Sequence, residues 1–129
     1  MNWGSRGDTM VDLIAKVTLR EQTISSLIVL ILENKKWFVD NEFTVEKLRA
    51  YLWQSAPIKE YIRKMRLIMP PETHIIEIKS SALEIVNTCL FSKVDIESER
   101  IILDGADTSN YVLRILNIRE YRDRATYWR

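Results

Sequence analysis

His74-Ile75-Ile76-Glu77-Ile78-Lys79 is the stretch on which the fold class turns. Three isoleucines in four consecutive positions suit a pleated, half-buried surface, and no helical stripe shows within these six residues. The spacing predicts a strand, which follows the helix-stopping pair Pro70-Pro71. Ser81 with Glu84 three residues on matches a capping box. A helix is therefore expected from Ser81, with Leu83, Val86, Leu90 and Phe91 as its apolar positions. A second short strand is expected over Arg100-Ile101-Ile102-Leu103-Asp104-Gly105, closed by its turn-forming glycine.

Toward the N-terminus the periodicity is helical. Asp8 or Thr9 is placed to cap a short helix whose apolar residues Met10, Leu13, Ile14 and Val17 fall at i, i+3, i+4 and i+7. Thr18 and Glu21 form another capping box, which predicts a second helix from about Leu19. Its stripe is Ile24, Leu27, Ile28, Ile31 and Leu32, widened by Val29 and Leu30, as in a central, heavily buried helix. After Trp37-Phe38-Val39 comes the polar break Asp40-Asn41-Glu42. Thr44 then caps a helix carrying Leu48, Tyr51 and Leu52, and Pro57 opens another with Ile58, Tyr61, Ile62 and Met65 on one side. From Ser109 onward Val112, Ile115 and Leu116 fit a helix, while Tyr111-Val112-Leu113 fits a strand equally well. The whole reads as a helix-dominated α+β fold of five or six helices and two or three short strands, compatible with a winged-helix-like core. Residues 1–8 are expected to form a flexible N-terminus and residues 9–129 a single globular domain.

Of the 129 residues, 47% are hydrophobic and 29% charged, enough to fill a core and to coat it. A formal charge of +1 excludes a bulk basic field for nucleic acid or anionic membrane. The charge is nonetheless patterned. Residues 1–43 carry −1, residues 44–68 carry +4, residues 69–113 carry −5 and residues 114–129 carry +3. Within the second segment Lys59, Arg63 and Arg66 lie at i, i+4 and i+7, with Lys64 on the same helix.

Residues 44–68 resemble a helix-turn-helix pair: a Thr-capped first helix, a short turn over Trp53–Ala56, and a basic second helix. The resemblance implies that the second helix enters the major groove and that Lys59, Arg63, Lys64 and Arg66 meet nucleic-acid phosphates. Bulky Trp53 stands where such turns favour glycine, and no two-strand wing follows. The plainer alternative is a solvated face on a core-packed helix hairpin, offset by the acidic segment at 69–113.

Signs of catalysis are few. His74 is the sole histidine and Cys89 the sole cysteine, so no CxxC zinc or redox pair and no internal disulfide can form. Three glycines leave no phosphate-cradling loop, and no Gly-x-Ser-x-Gly elbow occurs. Asp95, Glu97 and Glu99 alternate and would face one way if extended, although a solvated loop explains them equally. Cys89 sits on an apolar helix face, as a small core residue would. Neither a metal nor a cofactor is expected, and the protein is not expected to be an enzyme. Arg6-Gly7-Asp8 is read as a chance match to the integrin tripeptide. The first residues lack a secretory apolar stretch, and the longest apolar run, Leu27 to Leu32, is too short to cross a bilayer. The expectation is a soluble, cytoplasmic protein that does not engage membranes.

The chain's last residues combine Tyr121, Arg122, Arg124, Tyr127, Trp128 and Arg129, the residue types in which interfaces concentrate their energy. They are the expected partner-binding residues. The function expected is that of a small non-enzymatic interaction protein, a subunit or adaptor whose partner is another protein in a homo- or hetero-oligomer. The alternative is a nucleic-acid-binding regulator acting through the basic helix at 57–68.

Overall fold

The computed structural model describes residues 10–95, 100–102 and 112–118. Among them lie the helices α1 (Met10–Glu33), α2 (Lys35–Asp40), α3 (Val45–Trp53), α4 (Ala56–Ile68), α5 (Ile75–Leu90) and α6 (Val112–Ile115). The stretch that decides the fold class is the first turn of α5, not a strand. His74 is extended (φ −70°, ψ 137°) and its Nδ1 accepts a hydrogen bond from the Ile76 N–H at 3.1 Å, so the sole histidine serves as N-cap. From Ile78 the helix buries Ala82, Ile85, Val86, Cys89 and Leu90, while Ile76 is 62% exposed. That three-to-four spacing runs through the whole helix, and a six-residue window is too short to show it. Strand propensity spans only about 1 kcal/mol, so burial of the full stripe outweighs it. Ser81, expected to start the helix, lies inside it and hydrogen-bonds the Tyr61 phenol.

With that strand goes the α+β class and its winged-helix-like core: the fold is helical. Among the described residues extended pairing is confined to a ribbon of three residue pairs, β1 (Lys93–Asp95) antiparallel to β2 (Arg100–Ile102), which builds no sheet layer. The strand expected over 100–105 shrinks to one side of this ribbon, with residues 103–105 outside the described residues. At the N-terminal end, one 24-residue helix replaces the two expected. Neither glycine nor proline interrupts residues 10–33, so the Thr18–Glu21 capping pattern has no helix end to cap. The buried Thr23 hydroxyl donates instead to the Leu19 carbonyl at 2.7 Å.

Helix α5 is the hub: α1, α3, α4 and α6 all pack against it, and α1 also packs against α4. Their inward residues form one hydrophobic cluster, with Ile24, Leu27 and Ile31 of α1, Leu48 and Leu52 of α3, and Ile58 of α4 almost wholly buried. Leu30 shares a cleft with Ser55 and Ala56, whereas Leu19 shares one with Tyr61 and Lys64, so α1 and α4 run antiparallel. Local chemistry sets the joints. Thr44 accepts from the Lys47 N–H at 3.1 Å and starts α3, and Pro57 occupies the first turn of α4. Between α2 and α3, Glu42 takes a left-handed φ of 50°, which lets Glu42 N–H reach the Val39 carbonyl and Phe43 N–H the Phe38 carbonyl. This is the two-bond helix ending that glycine usually supplies. No buried side-chain polar atom among the described residues lacks a partner.

Candidate interaction surfaces

The cleft between α1 and α4 is first lined at Thr18. N-terminal to that point the apolar side of α1 lies open to solvent. Met10 is 71% exposed, Val11 75%, Leu13 48%, Ile14 58% and Val17 55%. The spacing of Met10, Leu13, Ile14 and Val17 is the one that marks the core stripe farther along the same helix, at Ile24, Leu27, Ile28 and Ile31. The half-buried positions in these first turns are instead Asp12, Ala15 and Lys16, which continue along the helix to buried Leu19 and Thr23. A contiguous apolar stripe thus faces solvent while Asp12, Ala15 and Lys16 are half-buried. Five large aliphatic side chains open in two turns are uncommon on an isolated domain. Sequence periodicity identified Met10, Leu13, Ile14 and Val17, but not Val11, and marked them only as one face of a helix. Nothing in the spacing says whether the covering surface comes from the same body.

A second exposed feature joins α2 and α3. Trp37, Phe38, Phe43 and Tyr51 pack mutually with ring centroids 5.0–6.0 Å apart, mostly edge-on or tilted. Phe38 is buried and roots the cluster, while Trp37 and Tyr51 remain 48% and 38% exposed. Rings this close leave no space for a ligand between them, so only the outer rim is available for contact. The α1–α4 cleft, about 590 Å³, is lined mainly by polar residues, among them Thr18, Glu21, Gln22, Ser25, Glu60 and Lys64. At its floor, burial pushes the Tyr61 phenol above its ordinary range, partly countered by the hydrogen bond with Ser81.

All four candidate nucleic-acid-binding residues lie on α4, and Lys59, Arg63, Lys64 and Arg66 are all exposed. Lys59, Arg63 and Arg66 share a face. Arg63 is forked onto Glu60, with Nε 3.0 Å from Oε2, and Lys64 Nζ lies 3.8 Å from Glu60 Oε1. The hydrogen bond from Arg63 holds the Glu60 carboxyl below its ordinary range, with Coulombic help from Arg63 and Lys64. One carboxylate therefore engages two of the four cations. The turn between α3 and α4 is Gln54–Ser55, and both helices pack on α5.

Other sequence candidates fall elsewhere. The expected partner-binding residues Tyr121, Arg122, Arg124, Tyr127, Trp128 and Arg129 lie outside the described residues, as do Arg6-Gly7-Asp8, Glu97 and Glu99. Cys89 is fully buried in α5, and desolvation pushes its thiol far above the ordinary range, away from thiolate chemistry. Among the described residues no group of three His, Cys, Asp or Glu side chains is placed to hold a metal ion. No helix among them is long and apolar enough to cross a membrane. Neither a family model, a curated protein nor a solved structure matches this chain.

Proposed function

We propose that this chain is a small non-enzymatic interaction protein, a subunit or adaptor whose partner is another polypeptide. One observation carries the reading: the apolar stripe Met10–Leu13–Ile14–Val17 faces solvent where the rest of α1 faces the core. Burying one such side chain fully is worth about 1.5–3 kcal/mol, so covering the stripe supplies a strong drive to associate. The exposed Trp37 and Tyr51 rings offer a second anchor of the type interfaces favour. The test is the mass of the tagged chain recovered from its source cells at native expression level. An assembly well above the 15.3 kDa of the free chain is expected, and Leu13→Glu should release it. A chain that elutes at its own mass with or without Leu13→Glu overturns the reading.

A nucleic-acid-binding role is the second reading, supported by the exposed Lys59–Arg63–Arg66 face of α4. It predicts binding to duplex or single-stranded probes that weakens steeply with salt, and a shallower salt slope after Lys59→Ala and Arg66→Ala. Absence of salt-sensitive binding by the unmodified chain removes it.

A further inference from the structure

The basic stripe of α4 does not end at Lys59. Ala56, three residues before it, continues the same face, so positions 56, 59, 63 and 66 follow the helical repeat, and all four are exposed. Ala56 also lines a cleft of about 290 Å³ with Leu30, Tyr51 and Ser55, and the Tyr51 ring lies 5.9 Å from that of Trp37. Cations and part-exposed aromatic rings are thus joined in one run across α4, α3 and α2. We propose that this run is the binding path of a single nucleic-acid strand, with phosphates on Lys59, Arg63 and Arg66 and bases stacked on Tyr51 and the exposed side of Trp37. The proposal gives a form to the nucleic-acid reading placed second above and rests on it.

The N-terminal end of α4 favours a single strand over a duplex. A helix laid in the major groove touches base edges with its N-terminal residues. Here those are Ala56, Pro57 and Ile58, none of which carries a hydrogen-bonding side chain, and Ile58 is buried. Stacking needs bases that are not already paired, and it tolerates any sequence because every base has a flat face. Neither phosphate contacts nor stacking read the sugar, so the path suits RNA and DNA strands alike.

The charges are complementary to a phosphate backbone. Lys59, Arg66 and Lys47, the last one turn before Tyr51 on α3, hold no ion pair among the described residues. Beside Trp37, Asp40 is already paired with Lys36 at 3.1 Å. Arg63 is held by Glu60, but an exposed pair of this kind contributes little, and a phosphate displaces the carboxylate at small cost.

Fluorescence anisotropy with the full chain tests the path, using oligothymidylate, oligouridylate and a DNA duplex, each about 12 residues long. Both single strands should bind, roughly fivefold or more tighter than the duplex, because only they offer bases to the rings. Their affinity should fall with salt at a logarithmic slope of about −2, as three phosphate contacts require, and the Lys59→Ala, Arg66→Ala chain should lose about 1.4 of that slope. Trp37→Leu keeps an apolar side chain beside Phe38 and should weaken binding roughly fivefold or more with the slope unchanged. Glu60→Gln should tighten it. Photo-crosslinking of a bromouracil-substituted strand to the unmodified chain, mapped by mass spectrometry, needs no variant and should mark Trp37 or Tyr51. Equal binding of duplex and strand, or adducts confined to other residues, overturns the strand path and leaves the nucleic-acid reading standing. Strand binding untouched by Trp37→Leu, in a variant that releases a polypeptide partner, assigns the aromatic rim to protein and overturns the proposal. Absence of salt-sensitive binding to every probe removes the path and the nucleic-acid reading together.

Discussion

Replacing Ile78 and Ile76 by alanine, one at a time, separates a helix from a strand at residues 74–79. On a strand the two side chains share a face and should cost alike. On α5 they part: Ile78 is 3% exposed, packed in the hub of the fold, and Ile76 is 62% exposed. Removing a buried isoleucine side chain down to Cβ costs the lost transfer energy plus a cavity term, about 2–5 kcal/mol in all. Neighbours from several helices meet α5, so the site cannot collapse inward easily, and a value in the middle of that range, about 3 kcal/mol, is expected. Ile76→Ala removes mainly solvated surface and gains a few tenths of a kcal/mol of helix propensity, so it should lie within about ±0.5 kcal/mol of the parent. Urea unfolding at 25 °C followed by circular dichroism measures both values, and the melting midpoint of Ile78→Ala should fall by on the order of 10 °C. Equal losses for the two variants would refute the helical reading of this stretch.

Other outcomes follow from the same packing. Ile31→Ala, at a fully buried position of α1, should cost about 2–5 kcal/mol, and an unchanged urea midpoint would place α1 outside the core. Glu42→Gly should stabilise the chain by about 0.5–1 kcal/mol, because glycine takes the left-handed φ of 50° without the steric cost borne by glutamate. A loss of stability would show that the glutamate side chain matters more than its backbone. Burial raises the folded Tyr61 pKa above its unfolded value near 10, so its contribution is complete below that pH and is lost as pH climbs through the folded value. Tyr61→Phe should flatten this alkaline fall in melting temperature while costing about 0.5–1.5 kcal/mol at neutral pH through the lost Ser81 hydrogen bond. An alkaline fall of the same depth in both chains would sink the assignment.

Much of the helical skeleton was legible in the sequence. Thr44 and Pro57 announce the starts of α3 and α4 because their chemistry acts locally, on the N–H groups of a single turn. Ile24, Leu27, Ile28 and Ile31 declare the core stripe of α1 by spacing alone. The start of α5 was not legible within six residues. Ile75, Ile76 and Ile78 favour a strand locally, and the pattern becomes helical only when Ile78 is joined to Ala82, Ile85 and Cys89 across the supposed boundary at Ser81. That boundary looked firm because Ser81 and Glu84 imitate a capping box. Burial in a hub touched by four helices decides the matter, and such tertiary weight has no local signature.

The candidate docking face was half legible. Met10, Leu13, Ile14 and Val17 stood out as one side of a helix, the pattern of an ordinary core-facing stripe. Only the fold reveals that these four side chains stand open to solvent while Asp12, Ala15 and Lys16 are half-buried. The basic residues of α4 were correctly seen as a group on one helix, but Glu60, between them in sequence, engages Arg63 and Lys64 in a way that counting charges does not weigh.

The most direct test of the claim that the first turns of α1 are a contact surface is photo-crosslinking from within them. A benzophenone side chain introduced at Ile14, in the full chain at native expression level, should give an intermolecular adduct of defined mass. The same probe at Lys79, exposed on α5, should give none. Adducts that form equally from both positions, or only within one chain from position 14, would contradict the account.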